Sequence, residues 1–251
     1  MIDLFWIPIT LIIALVAIHA WFGKGILERG IIFTDLSIAQ MAALGSAVSL
    51  GYAHGEYQTL LTLSFALGTG LLIAWATTRR LQLEAFIGLI YVLGASGILM
   101  VLSHSAEGME HFKSLLANDI LFTTETQLYQ SLLLYGAIAL VIRFLYPYTD
   151  GFAREVLFFT FLALTVTSSV QLAGVLVVFV LLIAPVLAAS IQQRFDSYPF
   201  ALFFGWSFSI FSLFLAFYTD LPTGYTIVFT GALATLVAII TLSPKKDLNL
   251  L

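Results

Sequence analysis

The chain has 251 residues, of which 61% are hydrophobic and 10% charged, with a formal net charge of −4 and a mean hydropathy of +1.04. About a quarter of the residues of a water-soluble domain are charged, so this composition excludes one and requires lipid as the surrounding partner. The absence of cysteine excludes disulfides, thiolate metal sites and thiol catalysis, and nothing in charge or motif provides for nucleic acid.

Nine apolar runs follow in chain order: Leu4–Gly23, Leu36–Ala53, Thr59–Thr78, Leu83–Ser103, Leu128–Tyr146, Arg154–Ser169, Leu172–Ser190, Phe200–Tyr218 and Thr223–Leu242. A helix of about 20 residues covers the roughly 30 Å hydrocarbon core. No period-2 alternation marks a membrane barrel, and backbone groups in lipid must be satisfied internally, so the runs are read as helices. The fold class is all-α, a polytopic helical membrane protein with about eight to nine spans in one transmembrane domain, residues 1–251. Leu36–Ala53 and Arg154–Ser169 are the short runs, with broken or tilted helices as one expectation. The first run lacks a basic region and a cleavage site, and is expected to stay as a span.

Laid out as alternating crossings, the runs place nine of the ten Lys and Arg residues on one side, with only Lys113 on the other. Cationic short loops stay in the cytoplasm, which puts the N-terminus outside and the C-terminus inside a cell membrane. No segment between spans holds a soluble catalytic domain or a phosphate-binding Gly-rich loop, so an ATP-driven process needs another chain to bind the nucleotide.

Ionisable groups inside a membrane are costly and point to a cavity or a partner. His19 lies on the first span near its cytoplasmic end, and either bonds a neighbouring helix or serves a transport path. Asp35, just before the second span, has the position of an N-cap that accepts from free amides, with an ion path as the alternative. The small residues Ala42–Ala47 and Gly88, Gly94 and Gly97 predict close helix contacts. Gly94-Ala95-Ser96-Gly97 matches the nucleophile motif of rhomboid-type intramembrane proteases, but no histidine lies at the depth of Ser96 to act as its base. His104, Glu107, Glu110 and His111 follow the fourth span, and His54 and Glu56 share that outer surface. Imidazole and carboxylate suit zinc, manganese or iron, while a solvated acidic loop explains the same residues. Pro185 leaves the Leu181 carbonyl without its usual donor, which predicts a kink in the seventh span or its end before Gln192.

Leu36–Gly45, Glu84–Ser103, Gly108–Leu121, Thr167–Pro185 and Asp220–Gly224 resemble, in order, the landmarks of the ABC-transporter permeases for zinc, manganese and iron, and the resemblance runs from about Ile18 to Leu236. It implies a homodimeric importer pore with no catalysis and no cofactor of its own, the metal ion being substrate. It also implies an extracytoplasmic metal-binding protein that feeds the pore and a cytoplasmic ATP-binding subunit that drives it. His19, Asp35, Gln40, Glu110 and His111 are then candidates for the translocation path, and His54, Glu56, His104 and Glu107 for the outer mouth. Asp150, Gly151, Arg154 and Glu155 are candidates for ATPase coupling.

Zinc and manganese members carry Gly-Asp-x-x-x-His-x-x-x-Pro-Gly on the second helix. Registered on Gly45, this chain has Leu36 at the aspartate, Gln40 at the histidine and Leu44 at the proline, so the ligand pair is not preserved, although Asp35 is one position away. The link Tyr146–Glu155 is shorter than the family's coupling segment. A same-fold permease for a non-metal solute and an uncoupled membrane scaffold are the alternatives.

Overall fold

The computed structural model describes residues 2–79, 81–103, 120–191 and 197–242. Among them are nine α-helices: α1 Ile2–Arg29, α2 Thr34–Tyr52, α3 Gln58–Thr77, α4 Leu83–Leu102, α5 Glu125–Phe144, α6 Gly151–Ala173, α7 Val175–Ile191, α8 Ser197–Thr219 and α9 Thr223–Leu242. Short 3-10 turns precede and follow α5, at Ile120–Phe122 and Tyr146–Tyr148.

Each apolar run is a helix, and the shifts at the ends have local causes. α1 runs on past Gly23 to Arg29, with an exposed Lys24–Glu28 pair at 4.0 Å, and Gly30 at φ 66° follows its end. α5 starts at Glu125, ahead of its apolar run, because Thr124 and Gln127 form a reciprocal capping box. The expected boundary between Ser169 and Leu172 falls instead at Gly174, whose φ of 84° and ψ of 158° suit glycine alone. α6 is therefore 23 residues long and not a short span. α7 continues through Pro185 and ends at Ile191, just before Gln192.

Among the described residues, seven helices are long and apolar enough to cross a membrane; the other two are α2 and α7. Both sit at the centre of packing clusters. α2 packs on α3, α4 and α6, whereas α7 packs on α1, α8 and α9. The two clusters are tied through α6, which packs on α3, α2 and α7. A helix surrounded by other helices has little lipid to satisfy, so α2 can carry polar residues and the 17-residue α7 can be short.

Small residues set the closest approaches. A Cβ on Gly45 would collide with the Leu61 carbonyl of α3, and one on Gly94 would lie 3.0 Å from the Gln40 Cβ of α2. Gly88 is the exception to the expectation, with no atom near its open side. Polar contacts join further pairs: Ser37 Oγ donates to the Ile87 carbonyl at 2.8 Å, and Gln58 Nε2 to Ser46 Oγ at 2.9 Å. Tyr135 Oη bonds Ser169 Oγ at 3.0 Å, Tyr198 Oη donates to the Ala17 carbonyl at 3.1 Å, and Ser212 bonds Thr230. Between membrane helices such bonds average about 0.6 kcal/mol, so packing of small residues contributes at least as much.

Candidate functional site

Burial singles out two residues. Among the described residues, His19 and Asp35 are the buried His, Asp, Glu, Lys or Arg side chains, at 0% and 1% exposure. Each keeps a buried polar atom without a hydrogen-bond partner, His19 Nε2 and Asp35 Oδ1. A chain that burned no free energy on them would carry apolar side chains there, since an unpartnered buried polar atom costs about 1–3 kcal/mol.

His19 lies on the face of α1 that packs on α7 and α8. One turn along, a Cβ on Gly23 would collide with the Leu182 carbonyl; Ala20 packs with Val186 and Ala189; Val16 and Pro185 both abut Gly205. His19 Nδ1 lies 2.8 Å from the Leu15 carbonyl. A carbonyl only accepts, so Nδ1 carries the proton, and in the neutral imidazole Nε2 presents a lone pair. That is the arrangement in which a backbone carbonyl orients an imidazole for an ion.

Asp35 is a correction to the capping expectation. α2 begins one residue earlier, at Thr34, its N-cap is Phe33 with no side-chain bond, and Asp35 stands inside the first turn. Its carboxylate still faces the backbone N–H groups of Asp35 and Leu36, so the chemistry expected of it persists one position into the helix. Gln40, one and a half turns further, is half-buried where α2 meets Gly94 of α4. No three His, Asp or Glu side chains among the described residues come together as a ligand set.

At the other end of α2, His54 and Glu56 are exposed in a tight turn. His54 and Tyr57 have φ of 49° and 59°, and Gly55 has 85°. Ser49 ties the turn down, its hydroxyl donating to the Glu56 carbonyl at 2.5 Å and its carbonyl accepting from Gly55 N at 3.1 Å. Glu110, His111, His104 and Glu107 lie outside the described residues. Ser96 is exposed and donates to the Val92 carbonyl of its own helix at 2.8 Å, far from the role of a nucleophile.

The coupling candidates gather at the basic end of the bundle. Asp150 is the N-cap of α6 without a side-chain bond, and Gly151 takes φ of 56°. Arg154 lies over the Tyr146 ring at 4.6 Å, and Glu155 pairs with Arg29 at 2.7 Å. Arg29, Thr78, Leu83, Gly151, Arg154 and Glu155 line an open cavity of about 470 Å³. Arg29 is the participant that sequence reasoning missed; it counted only among the nine Lys and Arg residues expected on one side, and its partner is 126 residues away.

Two solved structures share this fold. PsaBC from Streptococcus pneumoniae, in complex with a Fab, matches with a TM-score of 0.75 at 17% identity, covering 96% of this chain and 92% of that one. An inward-facing conformation of a transporter assigned to the metal-chelate ABC type matches with a TM-score of 0.65 at 15% identity, covering 94% and 85%. No curated protein matches the sequence. Residues 151–242, which are α6 to α9, match the ABC 3 transport family. Over that segment the chain is similar to the ABC 3 transport family, and its long apolar helices are those of a multi-pass membrane protein.

Proposed function

We propose that the chain is the pore-forming subunit of an importer for a divalent transition-metal ion, zinc, manganese or iron, with residues 1–251 as one permease domain. Two copies form the pore, an extracytoplasmic metal-binding protein delivers the ion, and a separate cytoplasmic subunit hydrolyses ATP. The observation that carries this reading is the pair of buried ionisable side chains, His19 and Asp35, each with an open polar atom. In a membrane such groups are costly and mark a path. An imidazole nitrogen, a carboxylate and the Gln40 amide are ligands from which an ion can still leave, as transport requires. One structural neighbour is described as a metal-chelate type ABC transporter, so a metal-bearing substrate is in keeping with this fold.

In this reading the ion enters past His54, Glu56, His104, Glu107, Glu110 and His111, and ATP-driven movement at the basic end, around Asp150, Gly151 and Arg154, opens the buried groups to each side in turn. A cysteine at Gly151 is expected to crosslink to the co-expressed ATP-binding subunit. The orientation is tested with an impermeant thiol reagent on intact cells: a cysteine at Glu56 labels and one at Tyr148 does not, and the reverse pattern inverts the topology.

Substrate is tested by elemental analysis of cells lacking other importers. Expression of the chain with its partners raises zinc, manganese or iron. Replacing both Glu110 and His111 by Ala lowers accumulation at limiting metal by about 10- to 100-fold, with partial recovery at saturating metal. If none of the three metals accumulates in a chain-dependent way, the non-metal solute or the uncoupled scaffold takes the place of this reading.

A further inference from the structure

Arg29 closes α1 and Glu155 lies in the first turns of α6. The guanidinium grips the carboxylate side-on: Nη2 donates to Oε1 at 2.7 Å and Nε to Oε2 at 3.0 Å. Nη1 donates to the Gly25 carbonyl at 2.9 Å, Nη2 stands 3.5 Å from the Tyr146 hydroxyl, and the guanidinium lies over the Phe158 ring at 4.2 Å. Both side chains are only about a fifth exposed, at 20% and 22%, whereas Lys24 and Glu28 of the neighbouring pair are at 53% and 63%. Bidentate, partly desolvated pairs hold geometry in a way that exposed single contacts do not.

The surroundings are fitted to this pair. A Cβ on Gly25 would lie 2.5 Å from Phe158, so the backbone of α1 comes up against α6 here because residue 25 has no side chain. Tyr146 is held by α1 as well, with Trp21 edge-on at 5.3 Å. Tyr146 and Glu155 bound the link between α5 and α6, so both ends of that link are fastened to α1, while Gly151 at φ 56° lies between them.

We infer that Arg29 and Glu155 are a positioning pair that makes the last turn of α1 move with the Tyr146–Glu155 link, and that Glu155 acts inside the permease and not as a contact for the ATP-binding subunit. The inference rests on the reading of that link as the coupling segment. Its mechanical consequence is that a push on the link reaches α1, on which His19 lies ten residues, about 15 Å, from Arg29.

The chain has no cysteine, so spin labels go only where cysteines are placed, at Lys24 and at Tyr148, which is exposed. The distance distribution in liposomes is narrow in the parent chain, broad in Arg29→Gln and in Glu155→Gln, and narrow again in the charge-swapped Arg29→Glu/Glu155→Arg. In the reconstituted complex, metal taken up per ATP hydrolysed falls roughly two- to thirty-fold in the single variants and recovers in the swap, with assembly and ATP hydrolysis retained. A narrow distribution in every variant overturns the inference, and so does an unchanged uptake per ATP in single variants whose distribution has broadened. Failure of the parent chain to assemble with any ATP-binding subunit removes the coupling reading instead, and the spin-label distances alone then decide whether α1 and the link move together.

Discussion

α2 and α7 are the two central helices, and they solve burial in opposite ways. α7 is apolar along nearly its whole length and fills the space between α1, α8 and α9 with Val, Leu, Ile and Ala. α2 occupies the equivalent place among α3, α4 and α6 with Asp35, Ser37, Ala42, Gly45, Ser46 and Ser49. The family match covers α7 and stops short of α2. In the proposed reading, the packing around α7 carries the architecture, and the chemistry that distinguishes one substrate from another lies on α2 and on the histidine that α1 presents to the α7 cluster.

The largest effect that would sharpen this contrast is at Asp35. Asp35→Asn conserves size and removes the charge, so the chain still inserts, while uptake of the transported metal falls about 10- to 100-fold. Uptake within a factor of two of the parent, at equal amounts in the membrane, would break the assignment of chemistry to α2. Next is Gly45→Ala, which forces α2 from α3 at the Leu61 carbonyl and is expected to cost about 1–3 kcal/mol of stability in detergent unfolding. Gly88→Ala, with open space at its Cβ, costs nothing. Equal losses from the two would contradict the tight α2–α3 contact. Tyr135→Phe removes the α5–α6 bonds to Ser168 and Ser169 and should lower stability by about 0.6 kcal/mol. Smallest is Ser209→Ala on α8, which removes a fully buried hydroxyl that has no partner. Stability should hold or rise and uptake should not change, because nothing is left unpaired by the loss. A large drop in uptake would place substrate chemistry in the α7 cluster as well.

The nine helices were legible because an apolar run of membrane length has few other ways to fold. Their ends were less so. The polar capping box at Thr124–Gln127 sits outside the apolar run it starts, and Gly174 looks like one more small residue inside a continuous apolar stretch until its φ is known. His19 and Asp35 stood out as ionisable groups in or beside apolar runs, and both are buried. Which helices they face was not readable, because faces of a membrane helix carry no clear polar stripe when most of its neighbours are apolar. The Arg29–Glu155 pair was beyond reach for another reason: its partners lie 126 residues apart and each is ordinary for its helix end.

The central claim is the proposed one, that this chain is a permease moving a transition-metal ion under the power of ATP hydrolysed by a separate subunit. Its most direct measurement is uptake of radiolabelled zinc, manganese and iron by liposomes containing the complete purified complex, with ATP supplied on the side of the ATP-binding subunit. One of the three accumulates in the parent complex only when ATP is present, and does not accumulate when Asp35→Asn replaces the parent chain. An assembled complex that hydrolyses ATP and accumulates none of the three metals would contradict the account.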